Sequence, residues 1–315
     1  MTNDIQIYTA NAFTSNTHKT LGNPAGVVIS DTPYSDELMK DIAIYANQPM
    51  TSFLLPHDDK PNEYTLRYFD LLGQETHICG HATVAATQVL LDNDMAQAGD
   101  TITFQLNPDL FDGTETTVTT SIDAFGYIAI TMPASKLEER DDDPLLLETV
   151  AKALRIDPMY IDSISFSTNI RDFVVGIKDA YVLETIEPDF EFMKSMAREG
   201  DYQHEGLMVS ALSDDPEWDL KNRVFLPITG VNEDIACGSG NCSIIPFWHN
   251  KGMKQDGPTF KAIFPYPNNP DALGGVQKVS FDPKKQEVTI KSQARSGQTH
   301  FFHCRSERKN ALSFG

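Results

Sequence analysis

The chain has 315 residues and a mass of 35.0 kDa, which exceeds one average domain and favours two. Against 25 basic residues stand 45 acidic ones, and a formal charge of -20 argues against nucleic acid as a partner, because phosphates would be repelled. The sequence has no run of 18 apolar residues and no signal-peptide pattern near its start, so we expect a cytoplasmic protein with no membrane partner.

The first half of the chain is predicted to be rich in strands, with two helices. Ser35 is a suitable N-cap for an amphipathic helix over 35–43, and an almost wholly apolar helix is predicted over 83–91, so that helix should be buried. Alternating apolar residues and turn signals predict strands at 5–8, 27–29, 52–55, 64–68, 101–104, 116–121 and 127–132.

The second half repeats this composition after an acidic stretch, 138–143, which is typical of a linker. Helices are predicted over 144–154 and 190–198, and a further helix after residue 238 should end or kink at Pro246. Strands are predicted at 173–177, 181–183, 207–211, 223–226, 259–264, 278–281, 287–291 and 299–303.

One short motif occurs twice, 158 residues apart, which is half the chain length (237 − 79). Cys79-Gly80 and Cys237-Gly238 each follow a glutamate by four residues. Each copy also has an upstream Arg-x-Phe that is predicted to be the strand leading into the turn, Arg67-Tyr68-Phe69 and Arg223-Val224-Phe225. The repetition predicts two similar halves that each present one thiol at the start of a buried helix.

A thiol at a helix N-terminus lies beside unpaired backbone N–H groups, which favour the thiolate. The amides of Gly80, Gly238 and Gly240 could hold a substrate carboxylate. One thiolate that removes an α-proton and one thiol that protonates the opposite face would invert the carbon without a cofactor. The sequence therefore predicts racemisation or epimerisation of a small carboxylate, with Cys79 and Cys237 as the two acid/bases.

The alternative is that both cysteines are small buried apolar residues, but packing alone does not require the same flanking residues in both halves. Cys242 and Cys304 have no counterpart in the repeat and are expected to be core or incidental residues. The spacing of the cysteines does not fit zinc, so no metal is predicted. Further candidates for substrate contacts, each with a structural alternative such as helix capping, are Asn23, His81, Asp234 and Ser239.

Three motifs in the right order resemble the PhzF-like (phenazine biosynthesis) family, a branch of the diaminopimelate epimerase and proline racemase superfamily. They are residues 22–28 (GNPAGVV), 79–83 (CGHAT) and 233–240 (EDIACGSG). The resemblance implies an α+β fold of two pseudo-symmetric rolls, 1–133 and 134–315, each a mixed sheet around a central buried helix. The active site would lie in the cleft between them. The resemblance further implies a homodimer, and it leaves open whether the last strand crosses back to the first roll.

Two positions depart from the family pattern. Met50 stands where PhzF-like enzymes have their acid/base glutamate, and a methionine cannot carry a proton. Cys237 stands where the PhzF-like turn commonly has threonine, as in the two-cysteine racemases. A racemase or epimerase is therefore the leading hypothesis. A PhzF-type isomerase or hydroxy-amino-acid dehydratase that uses Asp234 and His81, and a non-catalytic small-molecule-binding protein, are the alternatives.

Overall fold

Seventeen strands form one continuous mixed sheet in the computed structural model, which describes residues 4–199, 204–254, 259–266 and 272–303. In the first half the strands are β1 (Asp4–Thr14), β2 (Asn23–Ile29), β3 (Met50–Pro56), β4 (Glu63–Asp70), β5 (Glu75–Thr76), β6 (Thr101–Leu106), β7 (Thr117–Ile122) and β8 (Ile128–Pro133). The later strands are β9 (Leu137–Glu139), β10 (Ile161–Ser167), β11 (Phe173–Ile177), β12 (Leu207–Leu212), β13 (Leu220–Leu226), β14 (Val231–Asp234), β15 (Thr259–Pro265), β16 (Leu273–Asp282) and β17 (Glu287–His303).

The described residues also contain six α-helices: α1 (Asp36–Ala46), α2 (Gly80–Asp92), α3 (Pro144–Leu154), α4 (Ala180–Thr185), α5 (Phe190–Glu199) and α6 (Asn241–Asn250). Ser35 caps α1 by accepting a hydrogen bond from the Leu38 amide, so the predicted N-cap is confirmed. The predicted helix over 144–154 is confirmed as α3, which has Asp143 as its cap.

Three local predictions are wrong. The strand predicted at 181–183 is the helix α4, because Asp179 accepts a hydrogen bond from the Tyr181 amide as an N-cap and Ala180 and Leu183 are buried three positions apart. The two strands predicted at 287–291 and 299–303 are one strand, β17. Helix α6 begins at Asn241, so residues 238–240 separate Cys237 from it, and the prediction that each thiol lies at the start of a buried helix is wrong for Cys237; the helix also does not end at Pro246.

Strand pairing in the first half recurs in the second. β1 pairs with β2, β3 with β4, and β6 with β7, all antiparallel, while β2 with β3 and β4 with β6 are parallel. The second half has the same sequence of directions through β10, β11, β12, β13, β15 and β16. The short strands β5 and β14 each form a hairpin with the strand that carries the Arg-x-Phe motif.

Long terminal strands close the sheet. The first part of β17 pairs with both β16 and β8, and its second part pairs with β1, which completes a ring of strands in the first half. On the other side, β9 follows β8 directly along the chain and pairs with β10. The acidic stretch that was predicted to be a linker thus contributes a short strand to the sheet.

Helices α2 and α6 are the most buried helices of the two halves. Ten of the thirteen residues of α2 are buried, and the helix packs against β1, β2, β8 and β17. In α6 the first eight of ten residues are buried, against β16, β17, β11 and β12. Such all-round burial requires a helix without a polar face, as both sequences have. Within the described ranges, none of the helices has the length and apolar character needed to cross a membrane.

Candidate active site

A cavity of about 260 Å³ lies where the N-terminal end of α2 meets the turn at residues 237–240. It is lined by residues from both halves of the chain. The first half contributes Asn23, Pro49, Met50, Asp70, Thr76, Ile78, Cys79, Gly80 and His81. The second half contributes Glu205, Leu226, Thr229, Val231, Glu233, Asp234, Ile235, Cys237, Gly238 and Ser239. Both predicted acid/base cysteines therefore line the same cavity.

The two Cys-Gly turns approach each other closely at Gly80 and Gly238. A β-carbon added to Gly80 would lie 3.7 Å from the Cα atom of Gly238, and one added to Gly238 would lie 3.6 Å from the Cα atom of Gly80. The added carbon at Gly238 would also lie only 2.9 Å from Cζ of Phe13, so a side chain does not fit there. A β-carbon at Gly80 would make only ordinary van der Waals contacts, so Gly238 is the position that requires glycine; the closeness of the two turns brings the adjacent cysteines to one cavity.

Cys79 is the N-cap residue of α2 and is 8% exposed. Its sulfur lies 3.2 Å from Nδ1 of His81 and near the backbone N–H groups of Ala82 and His81, although it makes no capping hydrogen bond to the helix. These donors lower the pKa of Cys79, as the sequence predicted for a helix end, but burial raises it more, to about 12. In the ligand-free protein at neutral pH this group is therefore a thiol.

Cys237 is 2% exposed and occupies the corresponding place in the second half. Its sulfur accepts a hydrogen bond from the Gly240 amide (3.3 Å) and lies 3.4 Å from Oγ of Ser239. Burial, followed by the negative charge of Asp234, raises the pKa of Cys237 well above its ordinary value. This thiol is also protonated at neutral pH. The sequence predicted that one of the two cysteines would be a thiolate, but burial raises the pKa of both.

The charge of Asp234 acts on both thiols, since it raises the pKa of Cys79 and of Cys237. The Asp234 carboxylate interacts with the Cys237 thiol and accepts hydrogen bonds from the Ala236 amide (3.1 Å) and from Nδ2 of Asn23 (2.6 Å). Burial raises its own pKa to about 6, against these hydrogen bonds. Asp234 is thus mainly ionised at neutral pH and can exchange a proton near that pH.

The repeated glutamates and arginines form the same ion pair in both halves. Arg67 donates from Nε and Nη2 to the two carboxylate oxygens of Glu75 (2.7 and 2.5 Å), and Arg223 donates likewise to Glu233 (2.7 and 2.9 Å). Each guanidinium also lies over the phenylalanine two residues later. These bidentate pairs join the motif strand to the short strand before each Cys-Gly turn, and so fix where that turn begins.

The other residues singled out in the sequence differ in whether they line the cavity. His81 is 8% exposed and lines the cavity, and burial lowers its pKa to about 4, so the imidazole is neutral. Gly240 is not among the residues that line the cavity, and its amide donates a hydrogen bond to the Cys237 sulfur. Met50 lines the cavity, and its Sδ accepts a hydrogen bond from the Thr76 hydroxyl at 3.6 Å. Cys242 is buried outside the cavity near Asp172, and Cys304 lies outside the described residues.

Sequence reasoning missed several residues of the cavity wall, among them Asp70, Thr76, Glu205 and Leu226. Two of them had a signal in the repeat: Asp70 and Leu226 directly follow Phe69 and Phe225 of the two Arg-x-Phe motifs. A residue at the end of the motif strand in both halves must approach the same cavity as the cysteines. Glu205 had no such signal, because its place depends on the parallel pairing of β11 with β12.

A family model for phenazine biosynthesis-like proteins matches residues 10–294. An uncharacterized isomerase of Halalkalibacterium halodurans is 29% identical over 256 residues, which are 81% of this chain and 86% of the relative. An uncharacterized isomerase of Pseudomonas aeruginosa is 28% identical over 78% of this chain and 82% of its own length.

Solved structures with a similar fold include two kinds of protein. A PhzF-family protein of Enterococcus faecalis superposes with a TM-score of 0.76 at 24% identity, covering 96% of this chain and 100% of that one. A hydroxyproline epimerase of Agrobacterium vitis, solved with bound trans-4-hydroxy-L-proline, gives a TM-score of 0.57 at 15% identity over 95% and 91% of the two chains. At these identities the likeness concerns the fold.

Proposed function

The chain belongs to the phenazine biosynthesis-like family and is an isomerase, and we propose that it racemises or epimerises an α-amino acid or a related carboxylate without a cofactor. One observation carries the proposal: Cys79 and Cys237 line a single cavity at turns whose Gly80 and Gly238 backbones are in contact. Two thiols on the walls of one small cavity can serve the two faces of one carbon atom.

The proposed reaction starts with proton transfer from Cys237 to Asp234. The Cys237 thiolate then takes the α-proton, and the electron pair of the broken C–H bond passes into the substrate carboxylate. Cys79 delivers its proton to the opposite face of the carbon and is left as the thiolate. Backbone amides at the two turns, with His81 and Ser239, would hold the carboxylate while its charge grows.

The charge on Asp234 suits this sequence of steps. Burial and that charge raise the pKa of both cysteines and keep them as thiols. An α-ammonium group bound beside Asp234 would cancel the effect and make the thiols more acidic when substrate is present. Substrate binding would thus activate the base.

The test is α-proton exchange in deuterium oxide, followed by NMR over a panel of amino acids. We expect exchange in the wild type and in Cys242→Ser, a matched buried thiol outside the cavity. In Cys79→Ser and Cys237→Ser, inversion of the α-carbon should fall by more than about a hundredfold, since each loses one proton carrier. Exchange and inversion that survive in both variants would rule out the two-cysteine mechanism.

A second function is favoured by the pKa of Asp234, which burial raises to about 6. With neutral His81 across the cavity, this one carboxylate could act as the acid/base of a PhzF-type isomerase or of a hydroxy-amino-acid dehydratase. Activity that persists in Cys237→Ser but is lost in Asp234→Asn would support it. A product lighter by one water molecule would identify the dehydratase. A non-catalytic binding protein would show binding without exchange.

The recurring strand order and the two Arg–Glu pairs also support the proposal that residues 1–133 and 134–315 are pseudo-symmetric rolls, each with its sheet around one helix. The homodimer, the cytoplasmic location and the small carboxylate as substrate remain predictions. Size-exclusion chromatography with light scattering measures the first of these directly.

A further inference from the structure

Asn23 begins β2 in the first half, but its side chain reaches the second half. The residue is 3% exposed, and its Nδ2 donates to Oδ1 of Asp234 at 2.6 Å and to the carbonyl oxygen of Ala236 at 3.0 Å. An amide nitrogen has two hydrogens, and these two contacts use both. The side-chain amide of Asn23 therefore has no N–H left for a substrate, although Asn23 lines the cavity.

The hydrogen bonds to Asp234 orient its carboxylate. Asn23 and the Ala236 amide both donate to Oδ1. The other oxygen accepts neither of these hydrogen bonds, and the carboxylate also interacts with the Cys237 thiol. A carboxylate held on one side by two donors loses rotational freedom, so its free oxygen stays where the proton has to be transferred.

The corresponding position in the first half has no such arrangement. The strand ladders align Asp234 with Thr76 and Val27 with Val174, and counting back four residues from the latter pair matches Asn23 with Ile170, which precedes β11. The Thr76 hydroxyl donates to Met50 within its own half instead. A contact needed only to hold two similar halves together would be expected on both sides, whereas this one exists only where there is an acid to orient.

We propose that Asn23 is a positioning residue, which holds the Asp234 carboxylate across the junction of the two halves so that it faces Cys237, and which does not itself bind substrate. This inference rests on the proposed function. It makes the two thiols unequal: Cys237 has an oriented proton acceptor, while Cys79 has only the neutral imidazole of His81. The first proton should therefore leave Cys237.

The test compares Asn23→Ala with Asn11→Ala. Asn11 lies on the neighbouring strand and donates one hydrogen bond to the Leu21 carbonyl (2.8 Å), so its variant controls for the loss of a nearby amide. Carbon-13 NMR of labelled aspartate, with the Asp234 signal assigned by its absence in Asp234→Asn, gives the pKa of Asp234 directly. We expect a rise of about one unit in Asn23→Ala and no change in Asn11→Ala, because only the first variant removes a donor to the ionised carboxylate.

Kinetics distinguish positioning from substrate binding. For a positioning residue, kcat of α-proton exchange should fall about tenfold, with little change in KM and with the acid limb of the pH profile moved to higher pH. The variant Asn23→Ser keeps one hydrogen-bond donor, so its kcat and the acid limb of its pH profile should lie between those of the wild type and Asn23→Ala. It also provides the test if Asn23→Ala folds poorly.

Two results would overturn the inference: an Asp234 pKa that is the same in Asn23→Ala as in the wild type, or a rise in KM with an unchanged pH profile. Failure of the proposed function looks different, because no amino acid would then exchange its α-proton in the wild type. The NMR titration needs no substrate, and it would still decide whether Asn23 orients the acid.

Discussion

Replacing Asp234 with asparagine should stabilise the protein at alkaline pH while it removes activity. Burial raises the pKa of Asp234 to about 6 from an ordinary value of 3.8, a difference of about 2.2 units. At 1.36 kcal/mol per unit, folding with an ionised Asp234 costs about 3 kcal/mol. Asparagine avoids that cost and keeps an oxygen that can accept from Asn23 and from the Ala236 amide.

The sign of the effect depends on pH. A carboxyl whose folded pKa is raised contributes most to stability below its unfolded pKa, near 4, and the contribution is lost as pH rises through about 6. Urea denaturation at pH 8 should show Asp234→Asn more stable than the wild type by about 1 to 3 kcal/mol, after allowance for the weaker hydrogen bonds of an amide. At pH 4 the two proteins should differ little. A variant that is equally destabilised at both values would refute the account of Asp234 as a strained buried acid.

The two Arg–Glu ion pairs and a contact of Leu72 beside the cavity give two more predictions. Arg223→Met should lower the free energy of unfolding, measured in urea, by about 3 kcal/mol, and Arg67→Met should lower it by about 1 kcal/mol. The difference follows from burial, since the side chain of Arg223 is 3% exposed and that of Arg67 is 20% exposed. Equal losses would contradict this argument. Gly230 stands between Thr229 and Val231, which line the cavity, and a β-carbon at Gly230 would lie 3.7 Å from Cδ1 of Leu72 on the first hairpin. Leu72→Ala should remove this contact and speed the labelling of the cavity cysteines by iodoacetamide about fivefold, as measured by peptide mass spectrometry. The control is Leu145→Ala, at an exposed leucine elsewhere. Labelling that is no faster in Leu72→Ala would place the access route elsewhere.

Local patterns in the sequence predicted the elements whose formation depends on nearby residues. The Ser35 cap and the helix over 144–154 follow from side chains within one turn of the helix start. The 181–183 segment was predicted wrongly because a short run of apolar residues fits a strand as well as a helix, and the Asp179 cap decides between them. The length of β17 could not be read locally, since its two parts are held by different partners, β8 and β16 on one side and β1 on the other.

The candidate site was predicted as far as the repeat extended. The paired Cys-Gly turns predicted the two thiols of the cavity, whereas the ion pairs of Arg67 with Glu75 and of Arg223 with Glu233 join repeated residues whose contact was not predicted. The protonation of the thiols could not be predicted, because burial and the charge of Asp234 depend on how the halves meet. The contact between Asn23 and Asp234 joins residues 211 positions apart, and a single sequence gives no sign of it.

The charges around the cavity determine how a carboxylate could bind in the proposed reaction. Among the residues that line the cavity in the described part of the chain, four are acidic and none is lysine or arginine. Glu233 is neutralised by Arg223, but Asp70, Glu205 and Asp234 have no ion pair with a basic side chain of the described residues. In the proposed reaction a bound carboxylate would therefore rely on uncharged donors, the backbone N–H groups of the two Cys-Gly turns together with His81 and Ser239. The substrate also has to bring its own positive charge, since a plain anion would meet only repulsion from these acids. An α-amino acid carries both charges on one carbon, which is the carbon that two opposed thiols could invert.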